Sequence, residues 1–285
     1  MKKIIVEHLK YKYPLADKLA LNDISFEVEE GDFIGIVGKN SSGKSTLCQA
    51  LVGLVPHFYR GAYGGKVIVD GLEVKTHDVS EISQKAGIVF QNPFTQVTGS
   101  KISVYEEISF GLENIGLSRL EMIERIDAAL HLLGIYEFKD RRPFDLSGGQ
   151  MQRMAIACII AMQPDVIILD EPTSQLDPQG SKEVFQAVES LRKEGKTVIM
   201  VEHKIEKIAE YCNKVAVLKE GELVAFDIPS IIFSRNDIDD LEILPPIYTK
   251  VCKRLGVKKS LTEDYPITLS EAASALSGGS FYDLR

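Results

Sequence analysis

Gly38-Lys39-Asn40-Ser41-Ser42-Gly43-Lys44-Ser45-Thr46 is the stretch that decides how the chain folds. It has the form G-x-x-x-x-G-K-[ST], a phosphate-binding loop. Before it, Asp32-Phe33-Ile34-Gly35-Ile36-Val37 is a short apolar run suited to a buried strand; after it, Leu47, Leu51 and Leu54 recur at near-helical spacing. Strand, glycine loop and helix follow in the order such a loop requires. Glycines let the loop curl so that backbone N–H groups point inward at phosphate oxygens, and the helix start adds its positive dipole end. Lys44 can reach the β- and γ-phosphates as a point charge, and the Ser45 hydroxyl can ligate Mg²⁺. A plain glycine turn would need none of this context.

The chain of 285 residues is long enough for one large or two modest domains with a substantial core. Hydrophobic residues make up 45% and charged residues 26%, the balance of a soluble globular protein. A net charge of -8 argues against broad nucleic-acid binding, which needs a basic face. Cys48, Cys158, Cys212 and Cys252 lack paired or metal-ligand spacing, so they are expected as reduced thiols in a cytosolic protein. Charged residues interrupt Met1-Lys2-Lys3-Ile4-Ile5-Val6 almost at once, which suits a strand and not a signal peptide. The longest apolar stretch, 155–162, falls far short of the roughly 20 residues of a spanning helix, so the chain is not expected to cross a membrane.

Residues 4–13 and 24–28 read as strands, the second half-buried by the alternation of Ile24, Phe26 and Val28. Residues 61–65 read as a glycine-rich connection, 66–71 as an edge hairpin strand, and 86–90 as another buried strand. From about 103 to 162 the pattern turns helical. Val104, Ile108, Leu112 and Ile115 mark one helix, Ile123, Ile126, Leu130 and Leu133 a second closed by Gly134, and Ser147 opens a third. Strands resume at 165–170 and 197–201 around a helix at 182–192, an alternation that implies parallel strands with crossover helices. Residues 215–218 and 222–225 form a closing hairpin around Glu220-Gly221. Beyond about 229, Leu244, Ile247, Val251 and Leu255 have helical spacing. Leu269, Ala272, Ala273 and Leu276 mark a last short helix with Ser270 as its expected cap, and the Gly278-Gly279 tail is expected to fray.

Val166-Ile167-Ile168-Leu169-Asp170 carries an acid to the carboxyl end of a buried strand, where open α/β sheets bind ligands. Asp170 is placed to hold Mg²⁺ through water, and Glu171 to polarise an attacking water. Further upstream, Leu146-Ser147-Gly148-Gly149-Gln150 offers a hydroxyl and exposed backbone N–H groups at a helix start. Lying between a phosphate loop and an acid-ended strand, it resembles the signature sequence of ATP-binding-cassette (ABC) ATPases. That family also places a glutamine after a strand (Gln91), a small loop after the acid-ended strand (Ser174-Gln175-Leu176-Asp177) and a histidine after the next strand (His203), all in this order.

The resemblance implies a P-loop NTPase α/β fold: a RecA-like parallel sheet core with an antiparallel β subdomain and an inserted helical subdomain. Residues 1–228 would be the cassette, with 92–162 as its helical part, and 229–285 a small helical extension. It implies ATP and Mg²⁺ as ligands and two cassettes paired head to tail. Gly38, Asn40, Ser41, Ser42, Gly43, Lys44, Ser45 and Thr46 would bind ATP in cis, and Ser147, Gly148, Gly149 and Gln150 would meet the ATP held by the partner. Ser45, Asp170 and Gln91 would serve Mg²⁺. Lys44, Glu171, Gln91 and His203 would carry the chemistry, with His203 on the γ-phosphate and holding Glu171 in line. Asp177 would touch the partner cassette. Tyr13, about 25 residues before Gly38, matches the aromatic residue on which adenine stacks, and Tyr11 competes for that role. Gln175 departs from the alanine usual in its loop.

Leu54-Val55-Pro56 with its glycine-rich sequel, the run from Gln91-Asn92-Pro93 to Glu113-Asn114, and the short C-terminal extension resemble the A components of energy-coupling-factor (ECF) importers. This implies an ATPase on the cytoplasmic face of the membrane, peripheral, powering uptake of a vitamin or metal ion. Its partners would be a second ATPase (the same chain or a related one), a transmembrane scaffold subunit and a small substrate-binding membrane protein, with no nucleic acid. The ATPase of another ABC importer, or a soluble ABC ATPase without a transport role, is the competing expectation.

Overall fold

The computed structural model describes residues 1–259 and 264–277, so the Gly278-Gly279 tail lies outside the described residues. In chain order the strands are β1 (Lys2–Lys12), β2 (Leu21–Glu29), β3 (Phe33–Val37), β4 (Ala62–Val69), β5 (Leu72–Glu73), β6 (Ala86–Val89), β7 (Val166–Asp170), β8 (Thr197–Val201), β9 (Lys214–Lys219) and β10 (Glu222–Asp227). They form an antiparallel sheet in the order β2-β1-β4-β5 and a second sheet in the order β10-β9-β3-β8-β7-β6. In the second sheet β9, β3, β8, β7 and β6 are parallel, and β10 closes it antiparallel to β9.

Burial explains the two kinds of strand. In β2 buried and solvent-facing residues alternate, as on a sheet with one wet face. Every residue of β3, β7 and β8 is buried, as between two layers. Successive side chains then divide between two cores. Phe33, Ile167, Leu169, Val198 and Met200 join the helical side, while Ile34, Ile168, Ile199 and Val201 join the side of the antiparallel sheet.

Residues 62–65 are not the expected connection, and the strand that follows is not an edge. β4 starts at Ala62 and pairs with β1 on one side and β5 on the other. The glycines are there because the pairing slips between Glu7 and Lys10 of β1, and the chains approach closely at the bulge. Gly65 has φ +82°, and a Cβ on it would lie 2.2 Å from the His8 carbonyl oxygen.

The helices are α1 (Lys44–Leu51), α2 (Leu54–His57), α3 (Val79–Ser83), α4 (Val104–Asn114), α5 (Arg119–Leu132), α6 (Gly148–Met162), α7 (Pro178–Lys193), α8 (Ile205–Tyr211), α9 (Pro229–Ser234), α10 (Ile247–Leu255) and α11 (Leu269–Leu276). α4 and α5 pack on α6 to make a helical block between β6 and β7. α7 crosses over from β7 to β8. One reading of the final helices needs correction. Thr268, and not Ser270, caps α11, because its hydroxyl accepts the Glu271 N–H in a capping box. Leu244, Ile247, Val251 and Leu255 are exposed, and α10 turns Thr249 and Cys252 inward.

Asp32 pins the entry of the parallel sheet. Its buried carboxylate accepts the Glu29 N–H, the Asn213 side-chain amide and the Lys214 ammonium, each at 2.8 Å, tying β3 to β9. Burial pushes the carboxyl pKa up, but the hydrogen bonds from Lys214, the Glu29 backbone and Asn213 outweigh it and hold the value below the ordinary one. A lowered folded-state pKa contributes stability that is present above the unfolded value and lost as pH falls through the folded one. Asp32→Asn is therefore expected to cost about 1–3 kcal/mol at neutral pH. The gap to the unmutated protein should close below about pH 4. Urea midpoints measured across that range check this, and a gap independent of pH would refute it.

Candidate active site

The loop 38–46 leaves the buried end of β3 and turns into α1. Gly38 (φ +149°) lies so close to β9 that a Cβ would fall 2.2 Å from the Leu218 carbonyl oxygen, and Gly43 (φ +102°) has the Ala20 oxygen 2.6 Å from the same position. No other residue fits either place. Helices α4, α5, α6, α7 and α11 each have a side chain on their first N–H groups; α1 has none. Its open donors and dipole are free for an anion. Lys44 is buried, and its ammonium donates to the carbonyl oxygens of Gly38 (2.9 Å) and Lys39 (2.8 Å). Burial pulls its pKa down, against the opposing pull of Glu171 and Asp170.

The neighbouring strands deliver acids and their partners from their carboxyl ends. Asp170 ends β7, buried, with its Oδ1 lacking any hydrogen-bond partner. Burial raises its pKa, while a hydrogen bond from Ser45 opposes the rise. Glu171 follows with φ +50°, an uncommon conformation for a residue with a side chain. Its N–H donates to the Val201 oxygen at 3.0 Å. Its Oε2 accepts the Gln91 amide at 2.6 Å, and its Oε1 lies 2.8 Å from His203 Nε2. Gln91 comes from the end of β6 and His203 from just past β8, so three adjacent parallel strands place these three side chains.

Ser45 and Asp170 offer hard oxygens, one of them orphaned, which suits Mg²⁺. Among the described residues no cluster of three His, Cys, Asp or Glu side chains forms a metal site. A cation held by one or two protein oxygens and completed by substrate phosphates matches that arrangement.

A cleft of about 470 Å³, a size ordinary for a small-molecule site, opens over the loop; Gly38, Ser42 and Asp170 are not among the residues that line it. Tyr13, Asn40, Ser41, Gly43, Lys44, Ser45, Thr46, Gln91, Glu171 and His203 all face it. Tyr11 does not. It is fully buried, donates to the Tyr59 oxygen at 2.9 Å, and meets Tyr13 edge to face with ring centres 4.8 Å apart. The Tyr13 hydroxyl donates to Gln49 Oε1 at 3.0 Å and touches Thr46 Oγ1 at 3.1 Å, which fixes the ring at the cleft wall.

Ser147, Gly148, Gly149 and Gln150 are not in this cleft. They form the start of α6, closed by a capping box in which Ser147 Oγ accepts the Gln150 N–H and Gln150 Oε1 accepts the Ser147 N–H. Their neighbours are Gln175 and Leu176, which stand 3.3 and 3.2 Å from where Cβ atoms of Gly148 and Gly149 would lie. Asp177 accepts the Gly180 N–H at 2.6 Å as the cap of α7. Sequence reading overlooked this local role, although Asp177-Pro178 is a capping residue followed by proline at the first helical position. Two further contacts had no sequence signal at all. Lys39 of the loop pairs with Glu242 at 3.2 Å, and Glu202 bonds Thr173, two residues past Glu171.

The family model described as "ABC transporter" matches residues 21–174. A putative ABC transporter ATP-binding protein of Pyrococcus horikoshii is 40% identical over 282 residues, 97% of each chain. The energy-coupling factor transporter ATP-binding protein EcfA1 of Streptococcus thermophilus is 42% identical over 255 residues, 88% of this chain and 90% of that one. Among solved structures, cbiO1 of Clostridium perfringens, part of the ABC transporter complex cbiONQ, superposes with a TM-score of 0.73. It shares 34% identity, over 90% of this chain and 96% of that one. A dimeric cassette in a post-hydrolysis state, bound to ADP and Pi, gives a TM-score of 0.70 at 27% identity, covering 79% of this chain and 98% of its own.

The two tyrosines separate cleanly by experiment. Tyr13→Ala should weaken ATP binding about tenfold or more, the worth of one base stacked on an aromatic ring, with little change in melting. Tyr11→Ala should instead cost about 3–5 kcal/mol of stability, as for a buried aromatic side chain. ATP titration and thermal melting of both variants decide, and the reverse pattern would assign the stacking face to Tyr11.

Proposed function

This chain belongs to the ABC transporter family of ATP-binding proteins, and we propose that it is the ATP-hydrolysing motor of an ECF-type importer. Its enzymatic activity is that of an ABC ATPase. One observation carries the catalytic reading: the Glu171 carboxylate is held between Gln91 and His203 at the mouth of a cleft floored by a phosphate-binding loop.

In the reaction the oxygen of a water attacks the γ-phosphorus of ATP, the bond from that phosphorus to the bridging oxygen of ADP breaks, and the water's proton passes to Glu171. Gln91 and His203 hold the two carboxylate oxygens, so the base is aimed before substrate arrives. The loop N–H groups, the start of α1 and Lys44 neutralise charge on the phosphates. Ser45 and Asp170, with Gln91 beside them, would hold Mg²⁺, which when bound supplies further charge neutralisation at the β- and γ-oxygens. Tyr13 takes the adenine face.

The start of α6 serves a second cassette. Ser147, Gly148, Gly149 and Gln150 would meet the ATP of a partner whose own α6 meets this chain's, with Asp177 at the seam. The partner is a second copy or a related ATPase. Residues 1–228 act as the cassette and 92–162 as its helical block. That block exposes Phe94, Ile102, Phe110 and Phe144, apolar surface suited to a transmembrane scaffold subunit that in turn carries a small substrate-binding membrane protein. The extension 229–285 pairs the ATPases. Among the described residues no helix is long and apolar enough to cross a membrane, in keeping with a peripheral protein of the cytoplasmic face. The cargo is a vitamin or metal ion.

Glu171→Gln should leave ATP affinity intact and lower turnover by at least about 100-fold. Normal hydrolysis in that variant would remove Glu171 from the mechanism. Gentle purification of the tagged chain from solubilised native membranes tests the transport reading. Recovery of a scaffold and a small cargo-binding membrane protein supports it, whereas recovery from the soluble fraction with ribosomes or DNA would refute it.

A further inference from the structure

The parallel ladder of β7 and β8 ends at Asp170 and Val201, and one more backbone bond, from the Glu171 N–H to the Val201 oxygen, closes it. No further backbone bond joins the two segments, yet Glu171 and His203 must still meet at 2.8 Å across the gap. The side chain of Glu202 spans it. This residue is 4% exposed, a carboxylate in the interior. One oxygen accepts the hydroxyl of Thr173, two residues past Glu171. The other accepts the backbone N–H of His203 at 2.8 Å and, more loosely, that of Lys204 at 3.4 Å. Thr173, only 1% exposed, accepts in turn from the Lys204 ammonium at 3.0 Å, and that ammonium also donates to Ser181 on α7 at 3.1 Å.

We infer that Glu202 is a positioning residue for ATP hydrolysis: its carboxylate continues the β7–β8 ladder as a side-chain rung and fixes the His203 backbone relative to Glu171. The inference rests on the ATPase reading and adds a residue that does not touch substrate. A buried carboxylate is costly unless it is fully hydrogen-bonded, and here it is met by three donors with an ammonium one bond away. The strands do not need it, since their ladder is complete at Val201. What it spans is only the segment that carries the two side chains of the reaction. A carboxylate suits the place because it accepts on both oxygens, and both the Thr173 hydroxyl and the His203 N–H are donors. An amide of the same shape has one acceptor atom, so Glu202→Gln turns an NH₂ group toward one of the two donors and loses half of the rung while keeping its volume. Thr173→Val removes the other half at equal size, and Thr173→Ser keeps the hydroxyl.

The test uses the full chain purified with its membrane partners, measuring turnover, ATP affinity and melting for each variant. Glu202→Gln and Thr173→Val should each lower kcat roughly 10- to 100-fold, as sub-ångström to ångström misplacement of catalytic groups does, while ATP affinity stays within about twofold. Thr173→Ser, which keeps the hydroxyl, should retain turnover. Unchanged kcat in folded Glu202→Gln or Thr173→Val would overturn the inference. So would a loss of kcat matched by an equal loss of ATP affinity, because that pattern marks general unfolding of the site. An unmutated protein without ATP turnover would instead refute the ATPase reading on which the inference stands.

Discussion

The Glu171 carboxylate is held from two sides, by the Gln91 amide and the His203 ring, and those three side chains arrive from three adjacent parallel strands. Such a meeting tolerates no slip in register. A one-residue shift of β6, β7 or β8 would turn every side chain on that strand to the opposite face. The strands resist it because both their faces are buried, with odd and even residues committed to two separate cores. The wide apolar interior is thus the means by which a contact of a few ångströms at its edge is kept accurate. The positive φ of Glu171 is tolerated for the same reason, since neighbours on both sides leave the backbone no other course.

Several unmatched groups lie at or beside the cleft, although Tyr63, Gln152 and Arg153 also keep a buried polar atom without a partner. The start of α1 has no side-chain cap, Ser42 Oγ and Asp170 Oδ1 are buried without partners, and Lys44 forms no ion pair among the described residues. Two carboxylates away from the cleft are matched: Asp32 has three donors, and Asp70 has two lysines. Leaving polar groups unmatched in an interior is unfavourable, and a fold keeps them where a ligand will supply the missing partners. The donors would meet phosphate oxygens and the orphaned carboxylate oxygen a divalent cation. The same groups that destabilise the empty cleft would therefore stabilise its filled form.

Much of this was legible in the sequence because the determinants are local. A glycine loop between a strand and a helix, an apolar run ending in two acids, and a serine three residues before a glutamine each specify their own geometry within a few residues. The parallel sheet followed from the alternation of strands and helices, and β8 was read residue for residue. The misreadings have one physical source. Gly64 and Gly65 look like a loop until one knows that β1 bulges against them. Ser270 looks like a cap until Thr268 takes the role two residues earlier. Glu202 and Thr173 lie 29 residues apart, and Lys39 and Glu242 about two hundred; no pattern along the chain joins either pair.

The location of Gly148 and Gly149 bears on how hydrolysis would be tied to movement. Their N–H groups sit in the first turn of α6, where a helix has no internal acceptors, and the capping box occupies the Gln150 N–H but not theirs. Among the described residues neither glycine N–H has a partner, and both lie outside the chain's own cleft. On the proposed reading one chain would hold two halves of an anion site that it cannot bring together. On the proposed reading a second chain completes each half, and the γ-phosphate is the piece common to both. Binding of ATP then favours the closed pair by whatever the trans contacts contribute, and cleavage of the γ-phosphate removes that contribution. A ligand shifts an equilibrium only as far as it distinguishes the two states. On that reading the distinction would lie in a phosphate that the reaction itself detaches, so the chemistry that closure accelerates would also end it.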